Sequence, residues 1–317
     1  MLRKIILMYS THRPGPAHPA ALAALGEGLT VVSVDSEEDA LREAVDAEVI
    51  IGHRYLRQCL SVARSLKWVQ STAGGINHLP LQQLVEKRVM LTRCSAPSEM
   101  IARHAYTMAW VLLRNLPAAV RGIGISPAAL CWLPRPKVAL ILGMGRIGCE
   151  LAGLLKRDGI EVWGVKRRPG EGPFGCDRLL GVDQWMKLLP EVDLCFLCLP
   201  FTPETRLLMN AAALKRLPDH AVVINVGRGE TLDEAALSVL LKDGKLGGAA
   251  LDVLAPDSPF LESAGLEHLN LIISPHIASH YRERAWDLEQ YVERQVSAYL
   301  HQEPLQDMVD LSEIAHD

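Results

Sequence analysis

The chain is expected to fold as an α/β protein with parallel sheets, because short apolar runs of strand length alternate with amphipathic stretches of helical spacing from end to end. Two further observations point the same way. Of 317 residues, 49% are hydrophobic, enough for two domains that each bury a core. A glycine-rich corner, Gly143-Met144-Gly145-Arg146-Ile147-Gly148, turns one apolar run directly into a helix.

In chain order, strands are expected at 4–8, 29–34, 48–51, 67–70 and 89–91, with helices in the gaps. Ser36-Glu37-Glu38-Asp39 reads as a capped helix start, and Leu41 and Val45 supply its apolar side. A long helical run over 98–116 carries Ile101, Ala105, Met108, Ala109, Leu112 and Leu113 as its buried stripe. The Pro-rich segment 126–136 reads as a hinge or linker. Further strands are expected at 136–142, 159–165, 194–199, 221–226, 249–251 and 271–273. A final helix around 281–300 should cross back and carry the C-terminal tail onto the N-terminal domain. Thr231-Leu232-Asp233-Glu234 reads as a capping box that starts the helix after the strand at 221–226.

Bulk properties exclude several classes of function. The formal charge of −4 comes from interspersed signs, which argues against a nucleic-acid surface or a polybasic membrane anchor. The apolar run Ile5-Ile6-Leu7-Met8 is too brief for a signal peptide, and no stretch approaches a membrane span. A soluble cytoplasmic protein is expected. Seven cysteines scatter without a disulfide or zinc pattern, so reduced thiols and no metal are expected. Cys195 and Cys198 form a CxxC inside an apolar strand, where alternation points them to opposite faces and favours packing over redox chemistry.

The glycine corner is the strongest functional signal. Gly143 suits the tight turn, Gly145 lets a pyrophosphate approach the backbone, and Gly148 lets the helix pack against the strand. Amides at the helix start, from Arg146 and Ile147 onward, would face the anion. After the next strand, the position where an acid would hold the ribose 2′-hydroxyl of NAD is taken by Lys166, Arg167 and Arg168. Three cations suit a 2′-phosphate, so NADP(H) is preferred and NAD(H) remains possible. The alternative is a solvated basic loop. These observations assign 99–283 to a dinucleotide-binding domain and 1–98 plus 284–317 to a second, discontinuous domain.

Three later strand ends carry polar groups: Asn225-Val226-Gly227-Arg228-Gly229-Glu230, Asp252-Val253-Leu254-Ala255-Pro256-Asp257, and Ser274-Pro275-His276-Ile277-Ala278-Ser279. Carboxyl ends of parallel strands line the ligand crevice, so an arginine, a carboxylate and a histidine should converge near the cofactor.

With these motifs, "LPFTPETRLLMN" (199–210), "VVINVGRGETLDEAALSVLL" (222–241) and "GGAALDVL" (247–254), the chain resembles the D-isomer-specific 2-hydroxyacid dehydrogenases from about 71 to 277. The resemblance implies two domains of similar, Rossmann-like and flavodoxin-like topology, an active-site cleft between them, a homodimer, and reduction of 2-oxoacids to D-2-hydroxyacids. It implies that Arg228 grips the substrate carboxylate and polarises the carbonyl, and that His276 donates the proton as hydride arrives. Five residues beyond Asp252, where the family has the glutamate that pairs with this histidine, stands Asp257, one methylene shorter; Glu262 is the weaker substitute. Leu199, Pro200, Thr205, Val226, Asp252 and Ser279 are implied as cofactor contacts. Ala73, Gly74 and Gly75 fall on the loop whose amides receive the substrate carboxylate, and Arg54 could add a second cation. Arg103-His104 departs from the family's usual acidic residue before His or Tyr. A glyoxylate or hydroxypyruvate reductase is the favoured reading, and a dehydrogenase for a phosphorylated hydroxyacid or a non-catalytic dinucleotide-sensing interaction protein are its rivals.

Overall fold

Ile5, Ile6, Leu7 and Met8 are at most 2% exposed, as a strand covered on both faces requires, and such near-continuous apolar runs recur through the chain. The computed structural model describes residues 3–9, 14–121, 135–167, 175–261 and 270–313. Arg168, Glu262 and most of the expected linker, 126–134, lie outside the described residues. The chain divides into two compact units, Met1–Pro97 with Tyr281–Asp317, and Ser98–His280.

The first unit is built on strands β1 (Arg3–Met8), β2 (Leu29–Ser33), β3 (Val49–Gly52), β4 (Trp68–Gln70) and β5 (Met90–Thr92). All pair in parallel, in the order β2-β1-β3-β4-β5. Helices α1 (His18–Ala23), α2 (Glu37–Ala44), α3 (Leu56–Val62) and α4 (Leu81–Glu86) make the crossovers. The start of α2 is capped as expected, the Ser36 hydroxyl accepting the Asp39 amide at 3.1 Å.

The second unit opens with α5 (Ser98–Leu113), whose buried stripe is Ala102, Ala105, Met108, Ala109, Leu112 and Leu113. The expected run to 116 is interrupted. Asn115 takes a left-handed φ of 48°, which asparagine tolerates, and α6 (Leu116–Arg121) begins beyond it. Seven parallel strands follow: β6 (Val138–Leu142), β7 (Glu161–Val165), β8 (Arg178–Leu180), β9 (Leu194–Leu197), β10 (Val222–Asn225), β11 (Gly248–Leu251) and β12 (Leu271–Ile273). Their order is β12-β11-β10-β9-β6-β7-β8, so it reverses between β6 and β9. Such a switch point is where an open α/β sheet holds its ligand.

Helix α7 (Arg146–Arg157) leads from β6 to β7, and α8 (Ala211–Leu214) and α9 (Glu234–Lys242) cover later crossovers. The last helix, α10 (Arg284–Leu300), packs Leu288, Tyr291, Val292 and Val296 against Ile5, Leu7 and Trp68 of the first unit. Two expectations need correction. The edge strand β8 is absent from the expected elements, since none of its three residues is buried and it leaves no buried apolar run. The expected capping box at 231–234 does not form. Asp233 caps α9 by accepting the Ala236 amide at 2.9 Å, while Thr231 donates its hydroxyl to the Arg228 carbonyl at 2.6 Å. Glu234 instead accepts the Ala255 amide at 3.0 Å.

Candidate active site

The site begins with glycines that allow three loops to touch at the carboxyl ends of the second sheet. Gly143, at φ 106°, follows β6, and a Cβ there would stand 2.7 Å from the Cys198 carbonyl oxygen beyond β9. Gly227, beyond β10, meets the same loop from the other side, its Cβ position 2.6 Å from the Leu199 carbonyl oxygen. Gly229 would collide with the Leu254–Ala255 backbone beyond β11. The two glycines around Arg228 are therefore wedges between neighbouring loops, and Arg228 is displayed from a fixed backbone.

Asn225 completes that fixation. Fully buried at the end of β10, it accepts the Gly227 amide and donates to the Arg228 carbonyl, both at 3.0 Å. The half-buried guanidinium uses one Nη1 donor on the Gly227 carbonyl at 2.6 Å. Its other donors meet no acceptor among the described residues, which suits a group that receives an anion.

Asp252, one residue beyond β11 and 2% exposed, shapes the next loop. Its Oδ1 accepts the Ser274 hydroxyl at 2.6 Å and the Ile277 amide at 2.9 Å, and its Oδ2 accepts the Ala278 amide at 3.1 Å. The turn so formed carries His276 at φ 55°, with its amide shared between the Asp252 and Ser274 carbonyls, each at 2.9 Å. The His276 side chain is exposed and forms no hydrogen bond among the described residues.

Sheet register brings arginine and histidine onto one level. Asn225 pairs with Leu251, and Leu251 with Ile273. Arg228 and His276 thus each lie three residues beyond the same rung, on strands separated by one neighbour and about 10 Å apart at that rung.

Asp257 does not join them. It is exposed, and no hydrogen bond or ion pair links it to His276. In its turn the Ser258 amide donates to the Ala255 carbonyl at 3.1 Å, and the Ala255 amide is tied to Glu234. Burial raises the Glu234 carboxyl above the usual range; Ser258 and the Ala255 amide oppose this, and Asp257 and Glu230 add to it.

The residues around the glycine corner fit a dinucleotide. Gly145, at φ −89° and ψ −162°, has a backbone any residue could adopt, and a Cβ there would meet nothing within 4 Å. Among the described residues no atom requires glycine at that point, which leaves the helix start open to approach. Gly145 and Arg146 are exposed at the start of a twelve-residue helix, Ile147 is half-buried, and Gly148 would collide with the Gly143 carbonyl if it carried a side chain. Lys166 and Arg167 directly follow β7, with the Lys166 amide on the Leu180 carbonyl at 3.1 Å.

Other expected contacts are taken up locally. Thr205 spends its hydroxyl on the Pro200 carbonyl at 2.7 Å and on a reciprocal cap with Thr202. Val226 packs its side chain into the core at 6% exposure, and Leu199 is half-buried against the same glycines. Ser279 is half-buried on the His276 loop. Cys195 and Cys198 pack against opposite faces of the sheet, and burial pushes both thiols up to about 12.

In the first unit, the loop after β4 offers less than expected. The Ala73 amide already donates to the Ser71 hydroxyl at 3.1 Å, which leaves the amides of Gly74 and Gly75 without partners among the described residues. Arg54, after β3, is exposed with its guanidinium 5.2 Å from the Tyr55 ring centroid. The sequence places Asn225 and Ser274 in polar strand-end segments and marks Arg103-His104 as a departure, but assigns none of the three a role; Asn225, like Gln70 in the first unit, is a buried polar residue that ends a buried strand.

A doubly wound sheet whose order reverses beside a glycine corner, with arginine and histidine displayed beyond the ends of two strands one apart, defines a dinucleotide-dependent oxidoreductase. Residues 127–278 match the family model described as D-isomer specific 2-hydroxyacid dehydrogenase, NAD binding domain. This stretch is thus an NAD-binding domain of the kind found in the D-isomer-specific 2-hydroxyacid dehydrogenases, a family of NAD(P)-dependent oxidoreductases. It is 26% identical over 286 residues to a glyoxylate reductase of Korarchaeum cryptofilum, covering 85% of this chain and 80% of that protein. A family protein from Aeromonas salmonicida superposes with a TM-score of 0.76 at 26% identity, over 98% of this chain and 100% of that one. A D-isomer specific 2-hydroxyacid dehydrogenase from Xanthobacter autotrophicus, crystallised with NADPH and MES, superposes with a TM-score of 0.78 at 25% identity, over 99% of each.

Proposed function

We propose that the protein reduces a small 2-oxoacid of the glyoxylate or hydroxypyruvate type to its D-2-hydroxyacid, with NADPH preferred over NADH. One observation carries this reading: Arg228 and His276 leave the same rung of the sheet that carries the glycine corner. When bound, the reduced nicotinamide supplies the hydride. Arg228 binds the substrate carboxylate and orients the carbonyl with the guanidinium donors left over from its own loop. His276 holds the proton that the carbonyl oxygen takes up. Asp257 stands outside this pair.

The proposed cofactor contacts are the helix start at Gly145-Arg146-Ile147 and the cations Lys166 and Arg167, which suit a 2′-phosphate. The amides of Gly74 and Gly75 are proposed to receive the substrate carboxylate. Support for the substrate class comes from the glyoxylate reductase of Korarchaeum cryptofilum, and support for the cofactor from the NADPH held by the Xanthobacter protein. The same reading takes the protein as a cytoplasmic homodimer. No helix of the described residues is long and apolar enough to cross a membrane.

The test follows NADPH absorbance with glyoxylate, hydroxypyruvate, pyruvate and 2-oxoglutarate, repeated with NADH. Turnover of glyoxylate and hydroxypyruvate with a higher kcat/KM for NADPH is expected. Absence of turnover on every 2-oxoacid would remove the reading, and a preference for NADH would remove its cofactor half.

A further inference from the structure

We infer that His104, on α5, is a positioning residue for His276, acting through a hydrogen-bonded chain that ends in the loop on which His276 is mounted. His104 Nε2 lies 3.2 Å from the Ser274 hydroxyl and 3.6 Å from Asp252 Oδ1. The Ser274 hydrogen is already committed to Asp252, since 2.6 Å to a carboxylate outweighs the 3.9 Å contact with the Met108 sulfur. Ser274 can therefore only accept from His104, which fixes the imidazole tautomer with its hydrogen on Nε2. The chain runs from His104 N–H to Ser274 O–H to Asp252 Oδ1. Asp252 then takes the Ile277 and Ala278 amides, which lie just beyond His276.

The geometry gives this chain something to hold. His276 sits at a left-handed φ of 55°, a conformation a histidine keeps only where its surroundings impose it. Asp252 imposes it by holding both sides of the turn, and that carboxylate is buried almost completely, at 1% side-chain exposure. A buried carboxylate needs its donors, and His104 brings an N–H toward the same oxygen from a different element. The neighbouring charge on α5 is not available for this purpose. Arg103 pairs with Glu99 at 2.7 Å, one turn earlier on the helix. The helix itself is a firm base, since Ala102, Ala105, Met108 and Ala109 are buried in the core beneath the sheet.

The activity arm of the test rests on the reductase reading, so a second arm does not. His104→Leu removes the N–H, while His104→Gln returns a donor at a similar reach. In the Leu variant, kcat for glyoxylate with NADPH is expected to fall between about tenfold and 10²-fold, the scale of a small misplacement of a reacting group. NADPH affinity, read by fluorescence titration, should stay within about twofold, and the Gln variant should recover most of kcat. In parallel, the His276 ring signal in ¹³C-histidine NMR should be single in the wild type and the Gln variant, and broadened or doubled in the Leu variant. A Leu variant with unchanged kcat and an unchanged ring signal would overturn the inference, as would a Gln variant as impaired as Leu. If the wild type turns over no 2-oxoacid, the reductase reading fails and the NMR arm alone decides the role of His104. Should His104→Leu not fold, Ser274→Ala cuts the same chain one link further on and is judged by the same two readouts.

Discussion

On the proposed reading, Arg228 has two things to do: stay in place without substrate, and leave most of its donors for one. The first is achieved by the backbone, through Asn225 and two wedged glycines, and the second by chemistry, because a guanidinium can spend one N–H on Gly227 and keep a planar fork. Lysine would retain the charge and lose the fork. Arg228→Lys is therefore expected to lower kcat/KM for glyoxylate by about 10² to 10³, the range seen when an aligned donor is removed, with an unchanged melting temperature. Equal kinetics in the two proteins would show that charge alone is needed. Glu234 is the opposite kind of residue, buried at 3% exposure and tied to Ala255, with a carboxyl that burial holds above the usual range. A folded-state value above the unfolded one means that its contribution to stability is complete below about pH 4.3 and is lost as pH rises through the folded value. Glu234→Gln keeps the oxygen that accepts from Ala255 and removes the charge. The variant is expected to melt higher than the wild type at pH 7.5 and at the same temperature near pH 4, and thermal melts at the two pH values check it. A lower melting temperature at pH 7.5 would mean that the site favours the anion.

Among the elements, the glycine corner separates folding from binding within four residues. Gly148 is needed by the fold, because a Cβ there would run into the Gly143 carbonyl and crowd Ile141 at 3.2 Å. Gly145 is not, for its dihedrals are ordinary and its surroundings open. Gly145→Ala should leave the melting temperature within a degree or two of wild type, a surface change without packing consequences, and weaken NADPH at least about tenfold by obstructing the approach to the helix start. Gly148→Ala should lower the melting temperature itself. Calorimetry and fluorescence titration on the two variants give the comparison, and unimpaired NADPH affinity in Gly145→Ala would contradict the cofactor reading of the corner. The same contrast explains what could be read from the residues alone. Strands such as 138–142 and 222–225 were legible because burial on both faces leaves continuous apolar runs, and the positions of Arg228 and His276 beyond strand ends were legible because polar groups there break those runs. The cap of α9 was not, since Thr231 and Glu234 are drawn away by partners at 228 and 255 that local spacing does not reveal. Nor was the link from His104 to Ser274, which joins residues 170 positions apart. The pairing of Asp257 with His276 followed from position relative to Asp252, and in the structure both side chains are exposed with no hydrogen bond between them.

At the scale of the whole molecule, the hydrophobic clusters divide as the units do. Leu140, Trp163, Phe196 and Ile224 belong to clusters of the second unit, and Ile6, Ile50, Trp68 and Val292 to clusters of the first. Chains with separate cores need not unfold in one step, and a ligand raises the stability of only that part whose folded form binds it. The glycine corner, β7 with Lys166 and Arg167, and the Asp252 loop all lie in the second unit. Scanning calorimetry without cofactor is therefore expected to show a transition that deconvolutes into two. NADPH at a hundred times its Kd should stabilise the second unit by about 2.7 kcal/mol, which corresponds to an upward shift of several degrees in its component alone. NADH at the same concentration should shift that component less, because it lacks the phosphate that Lys166 and Arg167 are proposed to hold. A single transition moved as one by NADPH would show that the two cores melt as a cooperative whole. Equal shifts from NADH and NADPH at equal concentration would remove the assignment of the two cations to a 2′-phosphate, while leaving the glycine corner as the dinucleotide site.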